Sequence, residues 1–561
     1  MLYSELRMQI PQGPRYETIA IHGKQYLYYR KESKRINGKL KHSRMSLGRT
    51  ISEDGEVLLI PNENYFSHMG MIQPKGEKVK KQGKQCKKTQ EIAYADMPEN
   101  GRLGFGYAIA CHQLSRELGL WDALVEVFGD SMGRDILAIA AYMAKGSLMG
   151  MSGLEYFVKK QMLFTDTILS SQKLSNIYQS ITSSNRADFF KLWVKRHGKD
   201  SSVCYDVTSI SSYSKNIPIV AYGYNRDKEP LAQINLGMFC SMNDGLPLCY
   251  SEYNGNINDF TNFPYVMKTA SEYGINNNFL VVMDGGFAIE QNIDFTSLQG
   301  YDFLMGAPIN FCKDIRQLLL EWRENASTIE GTINYNYEPY RASEIYHVFG
   351  ETEVRVLMYK SITRSSDDEC TLVRHTHTMT ESLEQLQGKM TVTKSKQYKD
   401  LFDITLKENG TFEYSLNEVA YRESQELCGC FALLCTRENL SLQDALKVYR
   451  EKDDVEKSFG MLKNDILNER LHVAQLESLQ GKIFLAFLGL ILRRAFSTKL
   501  SQWVRQKRIS LNVALEMLCD IECRKSKLSW VLTKAFTAQQ KALIKLLDLP
   551  VNYLLEGDTI Q

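Results

Sequence analysis

At 561 residues the chain exceeds what one hydrophobic core fills, so roughly two to four domains are expected. Hydrophobic residues make up 43% and charged residues 24%, ordinary for a globular protein and too apolar for a disordered chain. A formal net charge of +2 excludes a whole-chain argument for nucleic-acid binding, so any such argument has to be local.

The N-terminus carries no apolar run of the kind that opens a signal peptide. Residues 1–73 read as a small β-rich module: Thr18–Ile21, Gln25–Arg30 and Val57–Ile60 are strand-like, with turns at Asn37-Gly38 and Asp54-Gly55. Eight Lys and Arg lie between Tyr28 and Arg49 against Glu32 alone, and seven Lys lie between Pro74 and Lys88 against Glu77 alone. Such runs are solvated faces, linkers or DNA contacts, and charge alone leaves the choice open. The second run falls in a stretch, 74–100, that reads as a linker.

Over 101–198 the apolar residues recur at helical spacing, as in Ala108, Cys111, Leu114 and Leu118, which predicts a helical domain, expected to bind DNA. From Ser202 the period changes to strands, with a hairpin turn at Asn243-Asp244-Gly245, a helix over Asp259–Tyr273 and an apolar strand Phe279–Met283. Residues 300–430 are mixed with many β-type segments, and His375 and His377 there read as surface residues on a strand or loop. Helical period then returns through 431–495 and 496–561. The most apolar stretch, Ile483–Leu492, is ten residues long and followed by Arg493 and Arg494, about half of a membrane span, so a buried helix is expected. The twelve Cys form no C-x-x-C framework, and reduced thiols in a cytoplasmic protein are expected. Val473, Leu476, Leu479, Ile483 and Leu490 share a helical spacing that fits either core packing or a subunit interface.

Three acidic residues stand out. Asp206 interrupts an apolar strand, where a carboxylate is costly unless it meets a metal or a cation. Asp284 ends a second strand, and Gly285 and Gly286 behind it leave room for a sharp turn. Two carboxylates at neighbouring strands suit a hard divalent cation. The third, Glu456, lies on a helix from Asp444 to about Ile466. Val448, Val455, Phe459, Leu462 and Ile466 make its apolar stripe, and Tyr449, Lys452, Glu456 and Lys463 an adjoining one. These four are either solvated ion pairs or a metal-binding Glu flanked by phosphate-holding cations.

Tyr449, Lys452, Glu456 and Lys463 stand at the Y-(2)-R/K-(3)-E-(6)-K spacing, and in this the chain resembles the DDE transposases of bacterial insertion sequences. Tyr205-Asp-Val-Thr, Tyr222-Gly-Tyr-Asn-Arg-Asp, Asp244-Gly-Leu-Pro-Leu, Gly255-Asn256 with Asp259, and Met283-Asp-Gly-Gly resemble the two catalytic-Asp blocks of that family, in order, over roughly Ser202–Leu492. One departure is Lys452, where the family often has Arg; lysine is a point charge rather than a bidentate fork. Trp322 is the only Trp between Gly300 and Cys430, and it receives no role.

The resemblance implies an α/β fold: an RNase H-like (retroviral-integrase-like) core in two parts, 199–299 and 431–495, interrupted by a β-rich insertion at 300–430. It implies a transposase with Asp206, Asp284 and Glu456 as catalytic metal ligands for two Mg2+ ions, Mn2+ being a substitute, held roughly 3.5–4 Å apart. Tyr449, Lys452 and Lys463 are then DNA-binding. Water attack frees a 3′-OH at the element end, and that 3′-OH attacks the target. Double-stranded DNA is the expected partner, with a homodimer on DNA and no membrane, in a bacterial cytoplasm at the nucleoid. An RNase H-like nuclease without strand transfer and a catalytically silent DNA-binding derivative are the alternatives.

Overall fold

A computed structural model describes residues 7–21, 24–36, 39–53, 56–69, 101–146, 150–163, 165, 167–198, 202–225, 229–309, 313–323, 331–386, 390–407, 411–467, 470–525 and 530–550. It divides into two compact units, 1–89 and 90–561. The Lys-rich run at 74–88 lies outside the described residues.

The first unit is a five-stranded antiparallel sheet in the order Met8–Gln9, Glu56–Pro61, Lys39–Glu53, Lys24–Ile36, Tyr16–Ile21. Its core is Leu27, Leu47 and Leu59, closed by Tyr65 and Phe66 from the helix Glu63–Met69. Within the first basic cluster, Arg30 and Arg44 both pair with Glu17, the former at 2.9 Å. The side chains of Lys34, Arg35, Lys39 and Lys41 lie outside the described residues.

The second unit opens with helices that include α1 (Asp130–Lys145) and α2 (Ser171–Ser180). A sheet follows, with β1 (Ser202–Ser212), β2 (Gln233–Ser241) and β3 (Pro247–Asn254) antiparallel in series. After α3 (Asp259–Tyr273), β4 (Leu280–Met283) returns parallel to β1, and β5 (Asp302–Ala307) runs parallel to β4. The spatial order 3-2-1-4-5 with this polarity is the RNase H-like arrangement expected from the sequence. The parallel strands read as continuous apolar runs because both faces are covered.

The fifth core strand, β5, thus lies inside the segment expected as insertion. The rest of that segment prolongs the same sheet beyond β5 through β9 (Cys430–Cys435), β8 (Thr352–Ser361), β7 (Glu338–Phe349) and β6 (Thr332–Tyr335), all antiparallel. It also contributes the long helix α4 (Ile362–Gln385), which carries His375 and His377. A strand or loop was the reading there, since Thr, Val and His alternate through Thr371–Thr380. Tertiary packing decides otherwise: Leu372, Met379, Leu383 and Leu386 recur at helical spacing and seal a small core around Tyr398, Phe402 and Phe412.

The chain then forms α5 (Leu442–Gly460), a π-helical turn over Met461–Ile466, a short strand β10 (Arg470–Leu471) parallel to the end of β1, and α6 (Leu476–Lys507). The Ile483–Leu492 stretch of α6 is apolar on all sides and is buried accordingly, and Leu479, Ile483 and Leu490 are 0–1% exposed. The expected buried helix over Ile483–Leu492 is therefore present, and among the described residues no helix is long and apolar enough to cross a membrane. Burial also removes Leu479, Ile483 and Leu490 from any subunit interface. The helices of 101–198 are not a separate body, because they share one continuous core with α6 and the sheet. Arg493 and Arg494 are buried as well. Arg493 donates to Ala144 O at 2.7 Å, at the end of α1, and pairs with Asp465 at 3.0 Å; Arg494 donates to Asp244 O at 3.3 Å in the β2–β3 turn.

Close approach of α6 to α2 depends on Gly481, where a Cβ would stand 2.1 Å from the carbonyl oxygen of Tyr178. That oxygen is backbone and cannot rotate away. Gly481→Ala is expected to cost about 1–3 kcal/mol of stability by overpacking, read as a lower midpoint in urea denaturation. An unchanged midpoint would mean that α6 and α2 separate freely.

Candidate active site

Parallel pairing of β1 with β4 sets Tyr205 against Met283, so Asp206 and Asp284 occupy the next position on neighbouring strands. Successive strand residues face opposite ways. Tyr205 packs among Phe239, Phe263 and Phe287, with ring centroids 4.8–5.6 Å apart. Asp206 shares the other face with Cys204. Burial, with the Cys240 thiol next, pushes the Cys204 thiol well up, and the Asp206, Lys452 and Glu456 charges act on it as well. Asp206 is 6% exposed, and its Oδ1 accepts from the Val207 N–H at 2.7 Å.

Asp284 follows β4 in an extended conformation and opens the 3-10 turn Gly285–Phe287. Neither glycine adopts positive φ. Gly285 is needed for space, since a Cβ there would stand 3.0 Å from Pro308 Cγ and 3.3 Å from Gly306 O, whereas Gly286 faces open space. The Asp284 side chain is 56% exposed.

α5 starts at an N-cap, Ser441, whose hydroxyl accepts from Asp444 N at 3.1 Å, and packs across β1, β4 and β5 through Ala445, Leu446, Val455 and Phe459. One turn separates Tyr449, Lys452 and Glu456, which the helix presents together. Lys452 is 5% exposed, and its ammonium donates to Glu456 Oε1 and lies 3.8 Å from Asp284 Oδ1. Burial alone would depress its pKa. The Glu456 hydrogen bond and then the Asp284 charge outweigh burial and hold it above the usual lysine range, so it stays an ammonium. Tyr449 fits beside it because β5 has no side chain at Gly306, where a Cβ would stand 2.3 Å from the Tyr449 hydroxyl. Burial, with the Asp284 charge second, pushes the Tyr449 phenol up to about 12.

Asp284, Tyr449, Lys452 and Glu456 therefore meet, with Asp206 one strand away on the same face. Among the described residues no three His, Cys, Asp or Glu side chains are grouped to hold a metal ion. Lys463 falls in the π-helical turn at 461–466, where the 100° step that puts it on the stripe of Glu456 does not hold. Its charge reaches Glu229, which pairs with Arg470 at 2.7 Å near Ser211, toward the C-terminal end of β1. The Arg470 guanidinium lies 5.1 Å from the Tyr213 ring centre. Arg470 and Glu229 carry no sequence signal because they are 241 residues apart. Gly306 had one: a lone glycine inside an apolar strand marks a close approach.

Gly306→Ala is expected to destabilise by about 1–3 kcal/mol through its clash with Tyr449. Tyr449→Ala in the same chain should recover part of that loss, a coupling of about 0.5–3 kcal/mol in a double-mutant cycle. Additive losses in denaturation would show that the two residues do not meet.

Residues 197–492, more than half of the chain, match the family model described as the transposase DDE domain. No curated protein matches the chain. Among solved structures, the synaptic complex of piggyBac transposase with hairpin DNA aligns with 81% of this chain and 74% of that one, at 10% identity and a TM-score of 0.32. A likeness that loose carries no argument.

Proposed function

This chain belongs to the DDE-domain transposase family, and from that premise we propose that it cleaves DNA at the ends of an insertion sequence and joins them to target DNA. The observation that carries the reading is the meeting of Asp284, Lys452 and Glu456 on the sheet face that also bears Asp206. Asp206, Asp284 and Glu456 are the proposed ligands of two Mg2+ ions. The donor set fits, since all its atoms are hard carboxylate oxygens, and the Lys452 ammonium already puts a positive charge between two of the three. Divalent ions at such a site supply an activated water and neutralise charge on the leaving oxygen.

The chain's own residues do the positioning. The Val207 N–H fixes the Asp206 carboxylate, and Lys452 draws the Asp284 and Glu456 carboxylates together. Asp284 and Glu456, each about half exposed, face the DNA side. Tyr449 supports the Glu456 turn, and Lys452 and Lys463 are the proposed phosphate-facing cations. Hydrolysis leaves a 3′-OH at the element end, and that hydroxyl attacks the phosphorus of a target phosphodiester at the same site, forming the new P–O bond as the target strand's 3′-oxygen leaves as a hydroxyl. Two ends must reach one target, so two chains acting together on DNA are proposed.

Asp206→Ala, Asp284→Ala and Glu456→Ala should each abolish cleavage and joining of end-bearing DNA in Mg2+ while duplex binding persists. Combining two of them should lower activity no further than either alone, because ligands of one site act as a unit. Near wild-type cleavage by any single variant removes that residue from the site, and cleavage without joining by the unaltered chain makes it a nuclease.

The eight basic residues of Tyr28–Arg49 lie in the first unit, and we assign them to phosphate contact. Deleting residues 1–90 should flatten the dependence of end binding on salt, each lost contact removing about 0.9 from the log–log slope. An unchanged slope would make the cluster a solvated face.

A further inference from the structure

A cavity of about 780 Å³ lies between α2, the start of α6 and the segment from Ile466 to Ala474, within the second unit but apart from the acidic residues of the candidate site. Its volume is in the range of small-molecule sites. Lys482 of α6 lines it, 5% exposed, with no acceptor or carboxylate bound to it among the described residues. A buried ammonium without a partner is costly, and burial alone pulls its pKa down to about 8.

Other features of the cavity point the same way. The N-cap of α6, Gln475, gives no side-chain cap, and its amide oxygen accepts instead from Gln179 Nε2 at 2.9 Å. The helix's own ladder begins only at Leu479 N, bonded to Gln475 O at 3.0 Å, so the N–H groups of the first turn have no acceptor within the helix. Gln475, Ser478 and Lys482 follow one another along the face of α6 that lines the cavity. Positive charge, the Ser478 side chain and the positive end of a 32-residue helix thus converge. No Asp or Glu is among the described lining residues.

We propose that this cavity binds a phosphoryl oxyanion, with Lys482 as its counter-ion and Ser478 and the first turn of α6 as donors. The phosphoryl group comes from a free phosphate compound or from a DNA backbone entering the cavity, since both present the same tetrahedral, multiply accepting oxygens.

The full chain is tested with inorganic phosphate against chloride at equal ionic strength, and separately with a DNA duplex. Phosphate should raise the thermal midpoint of the wild type and of Lys482→Arg but not of Lys482→Met. Lys482→Met should match or exceed the wild-type midpoint without phosphate, having lost an unpaired buried charge. If a DNA backbone is the source, Lys482→Met weakens duplex binding by about ten- to hundredfold. If a free phosphate is the source, duplex binding is unchanged and only the phosphate effect disappears. A readout that needs no variant is acylation of Lys482 in the wild type near neutral pH, followed by mass spectrometry, which phosphate or duplex should suppress. Equal responses of wild type and Lys482→Met in both arms, or Lys482 acylation that neither ligand slows, overturn the proposal.

Discussion

An ammonium buried to 5% exposure has to be matched by negative charge, and in this molecule the match for Lys452 comes from two elements at once. Glu456 lies one turn along the same helix, while Asp284 arrives from the end of a sheet strand. The ion pair therefore ties α5 to the end of β4 and fixes the rotation of the helix about its axis. Everything else at the site follows from that rotation. Tyr449 is brought over Gly306, Val455 and Phe459 are turned into the core, and Glu456 is left half exposed at the rim. Removing either carboxylate would leave the charge only partly compensated, a costly state in a low-dielectric setting.

The sheet prepares this arrangement through polarity. β1 and β4 run parallel, so consecutive positions on the two strands bring Asp206 and Asp284 alongside each other although they are separated by a hairpin, a helix and more than seventy residues of sequence. The segment between Asp284 and α5 extends the same sheet on its far side instead of forming a detached body. It can be long because its strands continue the sheet edge to edge from β5, and α5 reaches across two of them, β6 and β7, as well as across the core strands.

The cavity at Lys482 presents the opposite electrostatic case. There the buried ammonium meets no carboxylate among the described residues, and the first turn of α6 lies alongside it. Among the described residues two lysines are buried, one held above the usual lysine range by its carboxylates and the other lowered by burial alone.

Local pattern carried a large share of this. Strand periods around Asp206 and Asp284, the helix over Asp259–Tyr273 and the spacing of Tyr449, Lys452 and Glu456 are properties of short stretches, and side-chain periodicity reports them directly. The burial of Ile483–Leu492 was equally legible, because an all-apolar helix has only one place to go. Tertiary structure decided the rest. His375 and His377 are helical because distant residues seal the stripe of α4, and the π-helical turn at Met461–Ile466 interrupts the regular step between Glu456 and Lys463. Leu479 and Leu490 belong to the core rather than to a partner because the helices of 101–198 close over them. Arg470 finds Glu229, and Lys482 finds no carboxylate among the described residues, for reasons no window of sequence contains. Pairing across hundreds of residues is set by which surfaces meet, and only the folded chain determines that.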